Sequence, residues 1–437
     1  MLHSLTVKNV GPAERMELQP GERLNIFTGD NGLGKSFLLD VIWFALTRSW
    51  PAAINPHLQQ GFPARPASSR EASIAGTLVS RGDHAETVEF ASAFRPDKQA
   101  WVPKRGHTAR PPLVLYYYPN GDAALYDPAR NYWSAEDAGS FPPLVFTASQ
   151  LWNGLLSPEG KTLCNGLLED WAGWQKENGE IFGQLKAVLR ALSPGKQEVF
   201  QPGKLTRVSV EDVRDVPTIR MPYGREVPVV FVSSALKRMI SVIYLMVWSW
   251  QEHQKAAQLR QEEPVQEMVL LIDELEAHLH PRWQRSILNA LLQVSGFLSK
   301  DLNLQMFFTT HAPLIMASAE PVFDPDKDRW FDFDLVRAEE NEIKVQLAQR
   351  AFRKRGEMQY WATSDAFDLP STRSKEAETL IAQASKAADA PDFTQEQYEN
   401  FTRQLVALLD DTDPFLRRWR YLTKDLFSDN ATGTPAT

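Results

Sequence analysis

The stretch Arg23-Leu24-Asn25-Ile26-Phe27-Thr28-Gly29-Asp30-Asn31-Gly32-Leu33-Gly34-Lys35-Ser36-Phe37-Leu38 runs from an apolar, strand-like segment through a glycine loop into a helix-like one. Within it Gly29, Asp30, Asn31, Gly32, Leu33, Gly34, Lys35 and Ser36 match G-x-x-x-x-G-K-[ST]. The glycines of that pattern let backbone N–H groups turn toward phosphate oxygens at a helix N-terminus. Lys35 is expected to reach the β- and γ-phosphates of a nucleotide, and the Ser36 hydroxyl to ligate Mg²⁺. A chance glycine turn is the bland alternative. The helical spacing of Phe37, Leu38, Val41, Ile42 and Ala45, ending before Pro51, argues against it.

Outward from this loop, Leu5 to Val10 reads as another short strand. Residues 51–112 are rich in proline and small residues, with a basic stretch of Arg95, Lys98, Lys104, Arg105 and Arg110 around Trp101; they read as an inserted loop or small subdomain. Leu113 to Tyr118 returns to a strand pattern, and Gly166 to Leu192 has helical periodicity.

Two further apolar runs end in reactive side chains. Val269-Leu270-Leu271-Ile272-Asp273-Glu274 has the form of a buried parallel strand that delivers acids to its C-terminal edge. Asp273 is placed to hold Mg²⁺ through water, and Glu274 to orient and deprotonate an attacking water. Leu304 to Thr310 is a third such run, ending at His311. A lone histidine is more often structural, but one strand beyond an acid pair it can donate to a γ-phosphate and sense its loss.

These pieces in this order resemble the ATP-binding heads of the ABC class, including the SMC, RecF and OLD-like groups. They resemble most the bacterial stand-alone AAA family ATPases met in phage-defence systems, such as the ATPase subunits of Septu, PARIS and some retrons. The resemblance rests on Gly29 to Ser36, on Asp273-Glu274-Leu275-Glu276-Ala277-His278-Leu279-His280-Pro281 and on Thr309-Thr310-His311-Ala312-Pro313, and it covers roughly residues 1–50 and 225–345. It implies an α/β fold, an ABC-type P-loop ATPase head with a mixed sheet and helices, carrying insertions and a helical C-terminal extension. The expected division is a head over 1–345, interrupted at about 51–112 and 151–224, an extension over 346–429 and a flexible tail over 430–437.

The resemblance also implies ATP and Mg²⁺ as cofactors, and two heads closing on two nucleotides. Val232 to Arg238 is the candidate signature segment, with Ser233, Ser234 and Ala235 meeting the γ-phosphate held by the other subunit. The family has glycine where this sequence has Ala235; the N–H survives, and the methyl occupies space toward the partner's phosphate. Serine at a helix start is equally an ordinary N-cap. Gln150 is the candidate for the family's Mg²⁺-coordinating glutamine, and Arg15 lies where such heads contact nucleotide. His278 and His280 fall in the segment that communicates across the dimer rather than in a transition-metal site. Asp332-Phe333-Asp334 is similar to the paired acids of a TOPRIM nuclease, without the upstream glutamate that would complete it.

The composition, 43% hydrophobic and 23% charged, is that of an ordinary soluble globular chain. A formal net charge of −8 gives no global attraction for nucleic acid or anionic membranes, so such contacts would need a local patch such as Arg95 to Arg110 or Arg350 to Arg355. The one cysteine, Cys164, and the absence of a signal-peptide pattern fit a cytoplasmic protein. Met239 to Trp250 is apolar but short for a membrane span, and reads as a buried helix. A switch-like ATPase without its own effector domain implies a partner, a nuclease or toxin in antiviral defence. A DNA-repair or chromosome-associated ATPase acting on nucleic acid, and a weakly hydrolysing ATP-bound scaffold, are the rival readings.

Overall fold

The three apolar runs that end in glycine, acid and histidine lie side by side. In the computed structural model, which describes residues 1–66, 70–80, 86–105, 111–131, 141–193, 195, 199–337 and 343–427, strand Asn303–Thr309 pairs in parallel with Leu24–Gly29 on one side and Glu267–Ile272 on the other. The register sets Thr309 opposite Phe27 and Phe308 opposite Ile272, so the loops that follow all three strands open at one sheet edge. Open α/β sheets bind ligands at that C-terminal edge.

Among the described residues this larger sheet has eight strands, in the order Ile343–Arg350, Arg329–Arg337, Leu24–Gly29, Asn303–Thr309, Glu267–Ile272, Leu113–Tyr117, Ala123–Tyr126 and Leu144–Phe146. The central five are mutually parallel, and the outer strands turn back antiparallel. Strands buried on both faces require continuous apolar runs, as Met268 to Ile272 and Met306 to Phe308 supply. The polar exceptions are satisfied. Gln305, 1% exposed, accepts from the Leu2 N–H at 3.0 Å and donates to the Leu2 and Gly21 carbonyls at 2.9 Å each, tying the N-terminal strand to the core.

The proline-rich region 51–112 is more integrated than an inserted loop. Its strands Ser73–Val79, Thr87–Arg95 and Ala100–Arg105 continue an antiparallel sheet begun by Arg15–Leu18 and Leu2–Lys8. Ile74, Leu78 and Phe90 bury against the helix Lys35–Thr47, and the prolines fall mostly between strands, Pro103 excepted on an edge strand. Region 151–224 holds helices Leu167–Glu177 and Glu180–Ala191 and short strands at Gln201–Pro202 and Thr218–Arg220, the latter pairing with Glu226–Pro228 just beyond it.

Contacts divide the chain into the units Met1–Trp361 and Ala362–Thr437. The boundary falls after 345 because Ile343–Arg350 pairs along its whole length with Arg329–Arg337, and Trp361 packs on Trp330 and Phe352. The second unit comprises helices Lys375–Ala388, Gln395–Leu408 and Pro414–Phe427 around Leu380, Ala384, Leu405, Leu416 and Trp419. Ser374 caps the first of these, its Oγ accepting from the Ala377 N–H, and Thr394 with Gln397 forms a capping box on the second. The expected tail at 430–437 lies outside the described residues. Met239 to Trp250 is buried within the helix Ser234–Leu259, and no described helix is long and apolar enough to cross a membrane.

Candidate functional site

Gly29 ends its strand at φ +123°, and a Cβ there would lie 2.3 Å from the Phe333 carbonyl oxygen, so both conformation and space demand glycine. Gly34, at φ +101°, starts the helix Lys35–Thr47 without any side-chain cap. The first-turn N–H groups therefore have no side chain to answer them, which leaves an anion as their natural partner. Lys35 is buried and folds over the loop, its Nζ donating to the Gly29 and Asp30 carbonyls at 2.7 Å each. Burial lowers its pKa to about 8, against the opposing pull of Asp273 and Asp30.

The acid strand ends beside this loop. Asp273 is 2% exposed, and its Oδ1 accepts from the Thr309 hydroxyl at 2.6 Å. The same hydroxyl accepts from the Glu274 N–H at 2.7 Å, so one threonine of the histidine strand fixes both acids. Glu274 turns at φ +48°, a conformation rare for a non-glycine residue and common where a site stores strain. The residue is half-buried. Glu276 closes the turn: its carboxylate accepts from the Thr310 hydroxyl at 2.7 Å and the His311 N–H at 2.5 Å. Burial raises the Glu276 pKa, partly offset by those two donors. His311 is half-buried, and burial together with the Lys35 charge lowers its pKa below 6.5. Both effects favour the neutral imidazole, which retains one N–H to donate.

Ser36 and Asp273 line one cleft of about 620 Å³ together with Asp40, Gln60, Tyr116 and Tyr118. Asp40 lies one helical turn beyond Ser36, and desolvation pushes its carboxyl up to about 7 despite hydrogen bonds from Tyr116 at 3.0 Å and Tyr118 at 3.4 Å. The cleft's donors suit a divalent cation with a hydroxyl, an acid and further oxygens about it.

Gln150 is not among the cleft's lining residues. Its Oε1 accepts from the Thr147 N–H at 2.8 Å, completing a capping box, and from Asn55 Nδ2 at 2.9 Å. Ser233 is the N-cap of the helix Ser234–Leu259, its Oγ accepting from the Leu236 N–H at 3.4 Å; Ser233 and Ser234 are exposed and Ala235 half-buried. Ser234 faces a separate cavity of about 220 Å³, shared with His278, Lys237 and Arg238. His280 caps the short helix Pro281–Gln284, Nδ1 accepting from the Arg282 N–H. Arg15 is exposed and bonds Glu17.

The other charged candidates are engaged locally. Asp332 accepts from Thr28 at 2.6 Å and shares Arg350 with Asp334, while Asp328 is clamped by Arg23 at 3.0 and 2.6 Å. Arg355 lies over the Trp361 ring, and Arg95 pairs with Asp97. Arg110 and the side chains of Lys104 and Arg105 lie outside the described residues.

Sequence reasoning missed Arg238, which is 6% exposed and donates to four carbonyls: Tyr118 at 3.1 Å, Pro119 at 2.8 Å, and Asp273 and Glu274 at 2.9 Å each. It also gave no role of their own to Thr309 and Glu276, which it quoted only within motifs, and it missed Asp40 and Gln60. The one available signal was for Arg238: a charge at the start of a largely apolar helical run must find partners inside the fold.

Residues 120–317 match the family described as "AAA domain, putative AbiEii toxin, Type IV TA system". That segment includes Asp273, Glu274, His311 and Ser233 to Ala235, and begins after the glycine loop. Among solved structures, the chain is similar to an SMC head bound to the C-terminal winged-helix domain of ScpA, at 13% identity and TM-score 0.43 over 80% of this chain and 98% of that one. An SMC head from Thermotoga maritima aligns at 13% identity and TM-score 0.38, over 80% and 99% of the two chains. An SMC head with an extended coiled coil, bound to the ScpA C-terminal domain and derived from Pyrococcus furiosus, aligns at 12% and 0.40, over 80% and 96%.

Proposed function

We propose that this protein is a Mg²⁺-dependent ATPase of the ABC type, a nucleotide switch whose two heads close on ATP and which governs a separate effector. The observation that carries the reading is the meeting, at one sheet edge, of an uncapped helix start, Lys35, the acid pair Asp273 and Glu274, and His311, with Thr309 bonded to both acids' turn.

In this reading the N–H groups after Gly34 and the Lys35 ammonium hold the phosphates, and the phosphate charge draws Lys35 from its carbonyl contacts. Ser36 and Asp273, which line one cleft, would hold Mg²⁺. When bound, the cation neutralises charge on the β- and γ-phosphates and orients them for in-line attack. Glu274 takes the proton of the attacking water. His311, whose backbone N–H is held by Glu276, donates from its imidazole to the γ-phosphate and loses that contact when phosphate leaves. Ser233 and Ser234, exposed at a helix start, supply the contacts to the second head's ATP, and closure lasts while the γ-phosphate is present.

Asp328, Asp332 and Asp334 are engaged by Arg23, Thr28 and Arg350, and the toxin–antitoxin setting in the matched family's description supports action through a partner, a nuclease or toxin in antiviral defence. Phosphate release from purified protein with Mg²⁺, compared with EDTA and with Lys35→Ala, tests the ATPase reading. Release equal in all three would overturn it. Co-purification with the product of a neighbouring gene tests the effector.

A further inference from the structure

The cleft beside the glycine loop contains two oxygen acceptors that receive no donor from the described residues. Gln60 Oε1 is buried and has no hydrogen-bond partner among the described residues. Both tyrosine hydroxyls on Asp40 meet the same oxygen, Oδ1, leaving Oδ2 without a donor from the described residues. The two residues line the cleft that also holds Ser36 and Asp273.

The wall carrying Gln60 is built rather than incidental. Gly61 stands at φ +73°, and a Cβ there would lie 2.5 Å from the Tyr118 hydroxyl, so the chain passes tightly against the tyrosine that bonds Asp40. The Gly61 carbonyl accepts from the Ala52 N–H at 3.0 Å, and the Ala64 carbonyl accepts from Trp101 Nε1 at 2.8 Å. The chain just after Gln60 is thus anchored at Gly61 and Ala64, while the Gln60 amide oxygen is unanswered among the described residues. Buried acceptors are rarely left so unless a ligand or bound water supplies the proton.

Mg²⁺ gives up its waters reluctantly and keeps several when held by one or two protein oxygens. Each retained water is a strong donor that needs an acceptor. We propose that Asp40 and Gln60 are those acceptors, receiving hydrogen bonds from the water shell of the cation held by Ser36 and Asp273, so that the cleft binds a hydrated divalent ion rather than a bare one. The inference rests on the ATPase reading and assigns it two positioning residues; it gives Gln60 a role at the cation that Gln150, committed to its capping box, leaves open.

The test uses the full chain, Mn²⁺ as the probe and β,γ-imido-ATP as a nucleotide that is not turned over, with free Mn²⁺ read by electron paramagnetic resonance. Asp40→Asn, which retains an oxygen for both tyrosines, and Gln60→Leu are each expected to weaken Mn²⁺ binding about tenfold. Nucleotide affinity measured in EDTA stays unchanged, and Gln150→Ala binds Mn²⁺ like the wild type. Mn²⁺ affinity within about twofold of wild type in both variants, each shown by a cooperative melt to be folded, overturns the proposal; should Asp40→Asn fail to fold, Gln60→Leu alone decides. Wild-type protein that binds no imido-ATP and Mn²⁺ at all would instead remove the ATPase reading, and this inference with it.

Discussion

Arg238 Nη2 donates to the carbonyl of Glu274 at 2.9 Å, from a helix whose exposed first turn is Ser233 and Ser234. The same guanidinium holds the carbonyls of Asp273, Tyr118 and Pro119 and lies over the Tyr117 ring. A shift of the serine turn therefore moves the acid turn. Five fixed donors in a plane allow this, and a lysine cannot reproduce the fork.

Arg238→Lys is expected to destabilise the fold by about 2–3 kcal/mol, because buried carbonyls lose their donors. Turnover should fall about tenfold while ATP affinity stays near wild type, since the substitution loosens Glu274 and leaves the glycine loop intact. Chemical denaturation and steady-state phosphate release, read side by side, check both.

Asp40 gives a pH prediction. Its folded pKa of about 7 lies above the ordinary 3.8, so the folded chain holds this proton more tightly than the unfolded one. Its contribution to stability is present at low pH and is lost as pH rises from about 4 through 7. Without nucleotide, Asp40→Asn should therefore melt higher than wild type at pH 8, by the equivalent of about 1–2 kcal/mol, with the advantage shrinking as pH falls toward 5. Thermal melts across that range measure it.

The glycines of the loop should separate. Gly29→Ala sets a methyl against the Phe333 backbone carbonyl, which cannot swing aside, and should cost about 3 kcal/mol or more. Gly32, at φ +80°, has nothing within 4 Å of where a Cβ would stand, so Gly32→Ala bears only the backbone cost, about 1 kcal/mol. Differential scanning calorimetry of the two variants distinguishes them.

Ala235→Gly tests the departure in the serine turn. Removing the methyl from the second residue of the helix should cost about 0.5–1 kcal/mol in stability. Turnover should rise severalfold at high protein concentration, where two heads meet, and remain unchanged at low concentration. A concentration series of phosphate release reads the difference.

The readability of this sequence follows from which contacts are local. The strand, loop and helix over 24–47 declare themselves because glycine spacing, apolar run and helical periodicity are contiguous. Lys35, Asp273, Glu274 and His311 are legible as a set for the same reason: each stands at the end of, or just past, a strand of the same sheet edge. Arg238, Thr309, Glu276 and Gln60 act through partners tens or hundreds of residues away, or line a wall made by the fold, and no local spacing encodes that. Gln150 illustrates the converse. A glutamine three residues after Thr147 is also a capping-box signature, and that local chemistry is what its side chain satisfies. The strands of 51–112 were obscured by prolines that mostly sit between them, while their apolar alternation is short and interrupted.

Glu274→Gln tests the central claim most directly. The substitution keeps the side chain's size and removes its ability to take a proton, so ATP should bind with Mg²⁺ and persist. Light scattering with retained-nucleotide analysis should then find a stable ATP-bound dimer for Glu274→Gln, a transient one for wild type, and phosphate release from the variant lowered by about 100-fold or more. Wild-type turnover in Glu274→Gln, or a variant that remains monomeric with ATP and Mg²⁺ bound, would contradict the account.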